Sequence, residues 1–272
     1  MVALVLAGLL AQAPQASFAL TVAPRMESLR YRFENPSSFD TTELVPHFFE
    51  QTYDTDNVWA GLRARYRLFR LDAETTLGFT PQVTGQADDL DTFFQPDGNI
   101  VVSGTLGNAS LRAWGTNQRL VIGRTATIQY GVGYGYRRDS ARYHEGTKIT
   151  RTSLPRFEHR EIVTTREFVT SQVHEAQWFV RWTPERSPVS LFVEAAPFAL
   201  GRLAVDLPDK YPGRTLLFSS RTAVLRGEVA TTWAIGRMDL ELAATGERSF
   251  SYSSTARMRL QGVSLVLRVG TR

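Results

Sequence analysis

The chain has 272 residues, of which 43% are hydrophobic and 21% charged, with a net charge of +4 and no cysteine. The lack of cysteine excludes disulfides, thiolate metal sites and thiol nucleophiles. Beyond the N-terminus no run of 18 apolar residues occurs, which excludes helical membrane spans. The arginines are dispersed among carboxylates rather than gathered with aromatics, which argues against a nucleic-acid partner.

Residues Val2 to Leu10 form an apolar segment, and Ser17-Phe18-Ala19 supplies small residues where a signal peptidase needs them. Cleavage after Ala19 is expected, leaving 1–19 as signal peptide and 20–272 as one exported domain. A first strand is expected over about 26–33, with Leu29, Tyr31 and Phe33 facing one way and Arg30 and Arg32 the other. A polar stretch from Glu34 to Asp56 then reads as a long loop.

The clearest pattern lies between Asn57 and Thr80. Val58, Ala60, Leu62, Ala64, Tyr66 and Leu68 alternate with Trp59, Gly61, Arg63, Arg65 and Arg67. After Phe69-Arg70, Leu71, Ala73, Thr75, Leu77 and Phe79 alternate with Asp72, Glu74, Thr76 and Gly78. Period-two alternation marks strands. A two-residue turn would set Arg67 opposite Asp72 and Arg65 opposite Glu74 while keeping the apolar face continuous. Strands of about eleven residues suit a tilted bilayer crossing, so the apolar face is expected to meet lipid and the charged face to line an interior.

Residues 81 to about 108 read as a second long loop containing Asp88, Asp89 and Asp91. Strand four is expected over about 110–120, with Trp114 toward lipid. Strand five sets Ile128, Tyr130, Val132, Tyr134 and Tyr136 against Gly131, Gly133, Gly135 and Arg137. Glycines spaced by two within a strand do not form a phosphate loop; they thin the inner wall for a bulky neighbour. Residues 138–172 are charged and are expected to extend as a hairpin above the membrane. Trp178, Val180 and Trp182 then alternate with Glu175, Gln177 and Arg181, and Val189, Leu191 and Val193 with Ser190, Phe192 and Glu194. After a loop over about 200–220, Leu225, Val229 and Trp233 oppose Arg226 and Glu228. The last two strands set Met238, Leu240 and Leu242 against Asp239 and Glu241, and Val263, Leu265 and Leu267 against Ser264 and Arg268.

The expected fold is all-β: an antiparallel transmembrane β-barrel of about ten strands, with long extracellular loops and short periplasmic turns. Tyr66, Trp182 and Trp233 then fall at the periplasmic strand ends, and Phe33, Phe79 and Tyr136 at the outer ends, as lipid-interface aromatics. The expected lumen network comprises Arg30, Arg32, Arg63, Arg65, Arg67, Arg137, Arg181, Arg226 and Arg268 with Asp72, Glu74, Glu175, Glu194, Glu228, Asp239 and Glu241. Such long, near-balanced side chains should pair and block so narrow a bore.

The pattern resembles the small outer-membrane β-barrel proteins of Gram-negative bacteria over residues 20–272. Among enzymes with such barrels, the omptin proteases carry an Asp pair and an Asp-x-His pair at facing outer strand ends. Asp54-Thr55-Asp56 and the upstream Asn35-Pro36 are similar to that family's first loop, yet no Asp-x-His exists and His159 follows Glu158. The His-x-Ser of lipid A deacylases is missing at His47, His144, His159 and His174. An outer-membrane phospholipase would need a lipid-facing histidine, and none is expected. The resemblance therefore implies a non-enzymatic, structural or surface-binding barrel without cofactor or metal. An omptin-like surface hydrolase and a narrow anion-preferring pore remain alternatives. Outer-membrane lipid and lipopolysaccharide are the expected partners of a monomer, with Arg137, Arg138, Arg142, Lys148 and Arg151 placed to meet phosphates.

Overall fold

The computed structural model describes residues 16–34, 48–68, 71–94, 99–152, 156–164, 168–206, 213, 215–253 and 256–271. Among the described residues, eleven strands form one antiparallel sheet: β1 (Ser17–Glu34), β2 (Phe48–Leu68), β3 (Leu71–Phe94), β4 (Ile100–Arg124), β5 (Ile128–Thr152), β6 (Phe157–Thr164), β7 (Phe168–Trp182), β8 (Val189–Asp206), β9 (Thr215–Ile235), β10 (Met238–Ser251) and β11 (Ala256–Thr271). Their order is β4-β3-β2-β1-β11-β10-β9-β8-β7-β5-β6, and β4 also pairs with β5. Ten strands thus close a ring, and β6 stands outside it, paired with residues 145–152 of β5. Closure gives every strand of the ring a partner on both sides, the condition for a sheet in hydrocarbon.

The hairpin of β2 and β3 has the expected register, with Arg65 opposite Glu74 and Arg67 opposite Asp72. The strands are longer than the sequence pattern suggests. β4 and β5 have 25 residues each, whereas a bilayer crossing takes roughly 9–11. Most of the stretches expected as loops are therefore paired strand that continues the wall above the membrane, and the 138–172 segment supplies the β5–β6 hairpin. The sheet begins at Ser17, so Ser17, Phe18 and Ala19 pair with Arg65, Ala64 and Arg63 ahead of the expected cleavage point.

The pleat runs unbroken along β1, but the chemistry of its two faces changes places partway up. In the lower half Leu20, Val22 and Met26 are exposed on the outside, while Ala23 and Glu27 are buried inside. Above Ser28 the inward positions become Leu29 and Tyr31, each 1% exposed, and the outward ones become Arg30 and Arg32. β2 does the same, from outward Leu62 and Val58 to outward Asp56 and Asp54, with Tyr53 fully buried inside. Arg30 and Arg32 therefore do not belong to the lumen. They lie on the water-facing outer wall beside Glu50, with Arg30 Nη2 2.5 Å from Glu50 Oε1. The cause is a change of solvent: hydrocarbon outside demands an apolar exterior, whereas water outside lets the interior become an ordinary apolar core. Leu29, Tyr31, Tyr53, Leu111, Tyr143, Val169, Leu203, Val205 and Met258 form that core.

Two of the irregularities in the ladder sit where proline cannot donate. The register shifts between Thr80 and Val83 and between Ala196 and Ala199, spanning Pro81 and Pro197. The glycines of β5 serve close approach: a Cβ at Gly131 would meet the Phe179 ring at 2.7 Å, and one at Gly135 would meet Glu175 Oε2 at 2.9 Å.

The change of chemistry along β1 and β2 makes a paired prediction. Leu62→Arg, in the lipid-facing belt, should lower unfolding free energy in lipid vesicles by about 2–4 kcal/mol. Arg30→Leu loses one exposed ion pair and should change it by no more than about 1 kcal/mol. Denaturant titrations of both variants measure this, and a large loss at Arg30 would return that residue to the interior.

Candidate functional site: the charged lumen and the wall around it

Below the apolar core the inward positions carry long charged side chains, and these converge. Arg226 from β9 reaches Glu175 of β7, Glu194 of β8 and Glu247 of β10, at 2.5, 2.8 and 2.6 Å. Arg119 of β4 bridges Glu74 and Glu194 at 2.9 and 2.6 Å, and Glu74 also takes Arg65 and Arg181 at 2.8 and 3.1 Å. Arg137 of β5 is held by Glu27 and Asp139, and Asp139 accepts a hydrogen bond from Ser171 Oγ at 3.1 Å. A second group links Arg63 to Glu241 at 2.9 Å, and Arg268 to Glu241 and Glu228. Aromatic rings brace the guanidinium groups: Arg119 and Arg181 lie 4.9 and 5.3 Å from the Phe192 centroid, and Arg25 and Arg137 lie 5.5 and 5.1 Å from Trp59.

The arrangement gathers most of the residues expected there and adds others. Arg67 and Asp72 pair at 3.1 Å but sit at the exposed short-turn end, with side chains 53% and 35% accessible. Asp239 lines the same mouth beside Arg63 and Arg65. Arg25, Glu27, Arg119, Asp139 and Glu247 escaped the sequence pattern. Arg25 precedes the expected start at Met26, and Glu27 shares the phase of Leu29 and Tyr31, which the apolar pattern sets toward lipid. Arg119 was obscured because Thr116 and Gln118 dilute the apolar face of β4; Thr75 Oγ1 donates to Gln118 Oε1 at 2.5 Å.

On the outer wall Phe79, Trp182 and Trp233 are exposed at 53%, 44% and 44%. Tyr136 is half-buried between Trp114 and His174, at centroid distances of 4.8 and 4.9 Å. Tyr66 is also half-buried and its hydroxyl lies 3.1 Å from Thr75 Oγ1. The Phe33 side chain, like His47 and His144, lies outside the described residues. His174 overturns one expectation, because it occupies the outward phase of β7 opposite Tyr136, with Nδ1 2.6 Å from the Tyr134 hydroxyl. Its cross-strand and same-face neighbours, Leu200, Gln172 and Ala176, offer no serine.

Asp54 and Asp56 also point outward, from strand β2 rather than from a loop. His159 lies on β6, opposite Thr150 and 4.0 Å from Glu161. Neighbouring Glu158 is held below the usual carboxylate range by hydrogen bonds from Arg160 and Arg151. Asp88, on the outer face, is pushed up by partial burial and by Glu50. Lys148 and Arg151, expected near phosphates, pair with Glu161 and Glu158, and Arg137 is interior.

No protein-family model matches the chain, and no curated protein matches it. Solved structures do. The outer-membrane protease OmpT from Escherichia coli superposes with a TM-score of 0.67 at 8% identity, over 96% of this chain and 97% of that one. The translocator domain of the autotransporter NalP from Neisseria meningitidis gives 0.41 at 12% identity, covering 99% and 92%. The toluene transporter TodX from Pseudomonas putida gives 0.29 at 11%, covering 96% and 91%. Only the first likeness is close enough to bear on architecture, and at such identity it concerns the fold alone. The chain shares the antiparallel β-barrel fold of that first neighbour.

The network predicts a graded cost of charge removal. Arg226→Met would leave Glu175 without its guanidinium partner and should cost about 3–5 kcal/mol, as for other broken buried pairs. Adding Glu175→Gln should recover part of that loss. Arg67→Met, at the accessible mouth, should stay within about 1 kcal/mol. Equal costs at positions 226 and 67, read from denaturant unfolding in vesicles, would contradict a cooperative lumen network.

Proposed function

We propose that this protein is a closed barrel without catalytic activity, which acts by binding at its wall and its elevated outer surface and conducts nothing through its bore. The observation that carries this reading is the stacking of two different closures: an ion-paired layer at bilayer level and a tight apolar core above it. An ion crossing the barrel would have to displace paired charges and then enter a hydrocarbon-like layer, where an unpaired charge is strongly disfavoured.

The fold likeness to OmpT favours the alternative of an omptin-like surface hydrolase. The candidate acids and base weigh against it. Asp54 of β2 lies in one cross-strand row with Gln86, Asn108, Glu145 and Thr164, so four strand spacings separate β2 from β6, which carries His159. At about 4.8 Å each, these put the candidate acids about 19 Å from β6 along the sheet, beyond proton-transfer reach. The pore alternative is weakened by the same two closures.

Lipopolysaccharide is the partner that the outer wall fits. Above the apolar belt, Arg138, Gln172 and Arg202 lie opposite one another on β5, β7 and β8, next to Trp114. Both arginines are exposed and about 10 Å apart by strand spacing, suited to phosphates at headgroup level. The Arg138→Glu/Arg202→Glu double variant should lose most of the lipopolysaccharide that accompanies the purified protein, assayed by its phosphate content. Unchanged content would remove this partner.

The closed bore has its own measurement. Purified protein in planar bilayers should show no stable single-channel steps, and incubation with a mixed peptide library should yield no cleavage products. Reproducible steps would promote the pore, and defined cleavage would promote the hydrolase.

A further inference from the structure

The ion-paired layer is not solid. It contains a cavity of about 250 Å³ at bilayer level, room for several waters or a small solute. Seven arginines and four glutamates line it, Arg63, Arg181 and Arg268 among them. Each lining carboxylate is already engaged. Glu74 takes Arg65, Arg119 and Arg181; Glu175 takes Arg226; Glu228 takes Arg268; Glu247 takes Arg25 and Arg226. The carboxylates behind the lining, including Glu27, Glu194 and Glu241, offset the remaining positive charge, so the cavity is not a reservoir of charge.

What the cavity offers is an excess of donors over acceptors. Guanidinium carries five N–H donors and no acceptor. Among the described residues Arg181 has one carboxylate partner, Glu74 at 3.1 Å, while its cation rests on the Phe192 ring. Arg119 shares that ring, so both forks are held in place before anything binds. A guest that fits must be small and rich in acceptors, and planar forks match oxyanions better than a spherical ion. A second cavity of about 40 Å³ at the short-turn mouth shares Arg63 and Arg268 with the first, which marks the approach from the periplasm. The apolar core closes the other end.

We infer that this cavity is a dead-end binding site for one small oxyanion, of the phosphate or carboxylate type, entering from the periplasmic end. The dead end rests on the closed-barrel reading; the anion site itself does not. The test is calorimetric titration of the full-length protein in detergent micelles with inorganic phosphate, against chloride at equal ionic strength. A saturable phosphate response absent with chloride is expected. Arg181→Met should weaken it about tenfold or more; Glu74 keeps Arg65 and Arg119 in that variant, and the wild-type titration is decisive even if it misfolds. Arg30→Met/Arg32→Met, which removes outer-wall cations that form ion pairs only with Glu50 among the described residues, should leave the response unchanged. No saturable response in the wild type, an equal response to chloride, or loss through the outer-wall variant instead of Arg181→Met would each overturn the site. Binding combined with single-channel steps in bilayers would uphold the site and overturn the dead end, whereas no binding and no steps would overturn the site alone.

Discussion

The structure depends on one constraint: a strand has two faces, and ring closure turns one of them permanently inward. The backbone cannot rotate to follow its surroundings, so composition must change wherever the surroundings change. In β1 that happens within three residues, from Met26 and Glu27 to Leu29 and Arg30. The lower interior is charged because the exterior there must be apolar, and the upper interior is apolar because the exterior there is wet. On the reading proposed above, these two different reasons close the bore twice.

The two layers also differ in how they tolerate change. The apolar core relies on close packing, where loss of a side chain leaves a void of local consequence. The ionic layer is shared: Glu74 holds three guanidinium groups and Arg226 holds three carboxylates, so each deletion is felt by several strands. Such networks are weak evidence of net stability, yet removing one member leaves an uncompensated buried charge. Trp59 and Phe192, placed beneath pairs of arginines, hold the long side chains in fixed directions.

The bilayer half was legible in the sequence because two signals reinforce one another there. Leu62, Ala64, Tyr66 and Leu68 alternate with Arg63, Arg65 and Arg67, and the turn places opposite charges across the hairpin. The upper half was not legible, although its alternation is just as regular. Stretches such as Thr84 to Asp91 carry glycine, glutamine and three aspartates, residues typical of loops, and their pairing comes from the ladder inherited from below. Phase was the other casualty. Leu29 and Tyr31 look lipid-facing by the rule that holds ten residues away, and only the position of the water boundary reverses it. Of the lumen network, residues on strongly patterned strands were visible, and Arg119, on the most diluted one, was not.

The seam of the ring joins β1 to β11, with Leu20 opposite Val269 and Arg30 opposite Arg259. Those partners stand almost a full chain length apart, whereas the other neighbours in the ring are consecutive hairpins or nearly so. Contacts of such separation form slowly, because a long loop must be ordered before they contribute. During assembly β1 therefore holds an unpaired edge until the last strand arrives, and that edge is as sticky toward another chain as toward its own terminus. Until β11 of the same chain reaches β1, the open edge leaves the seam to be shared between two molecules.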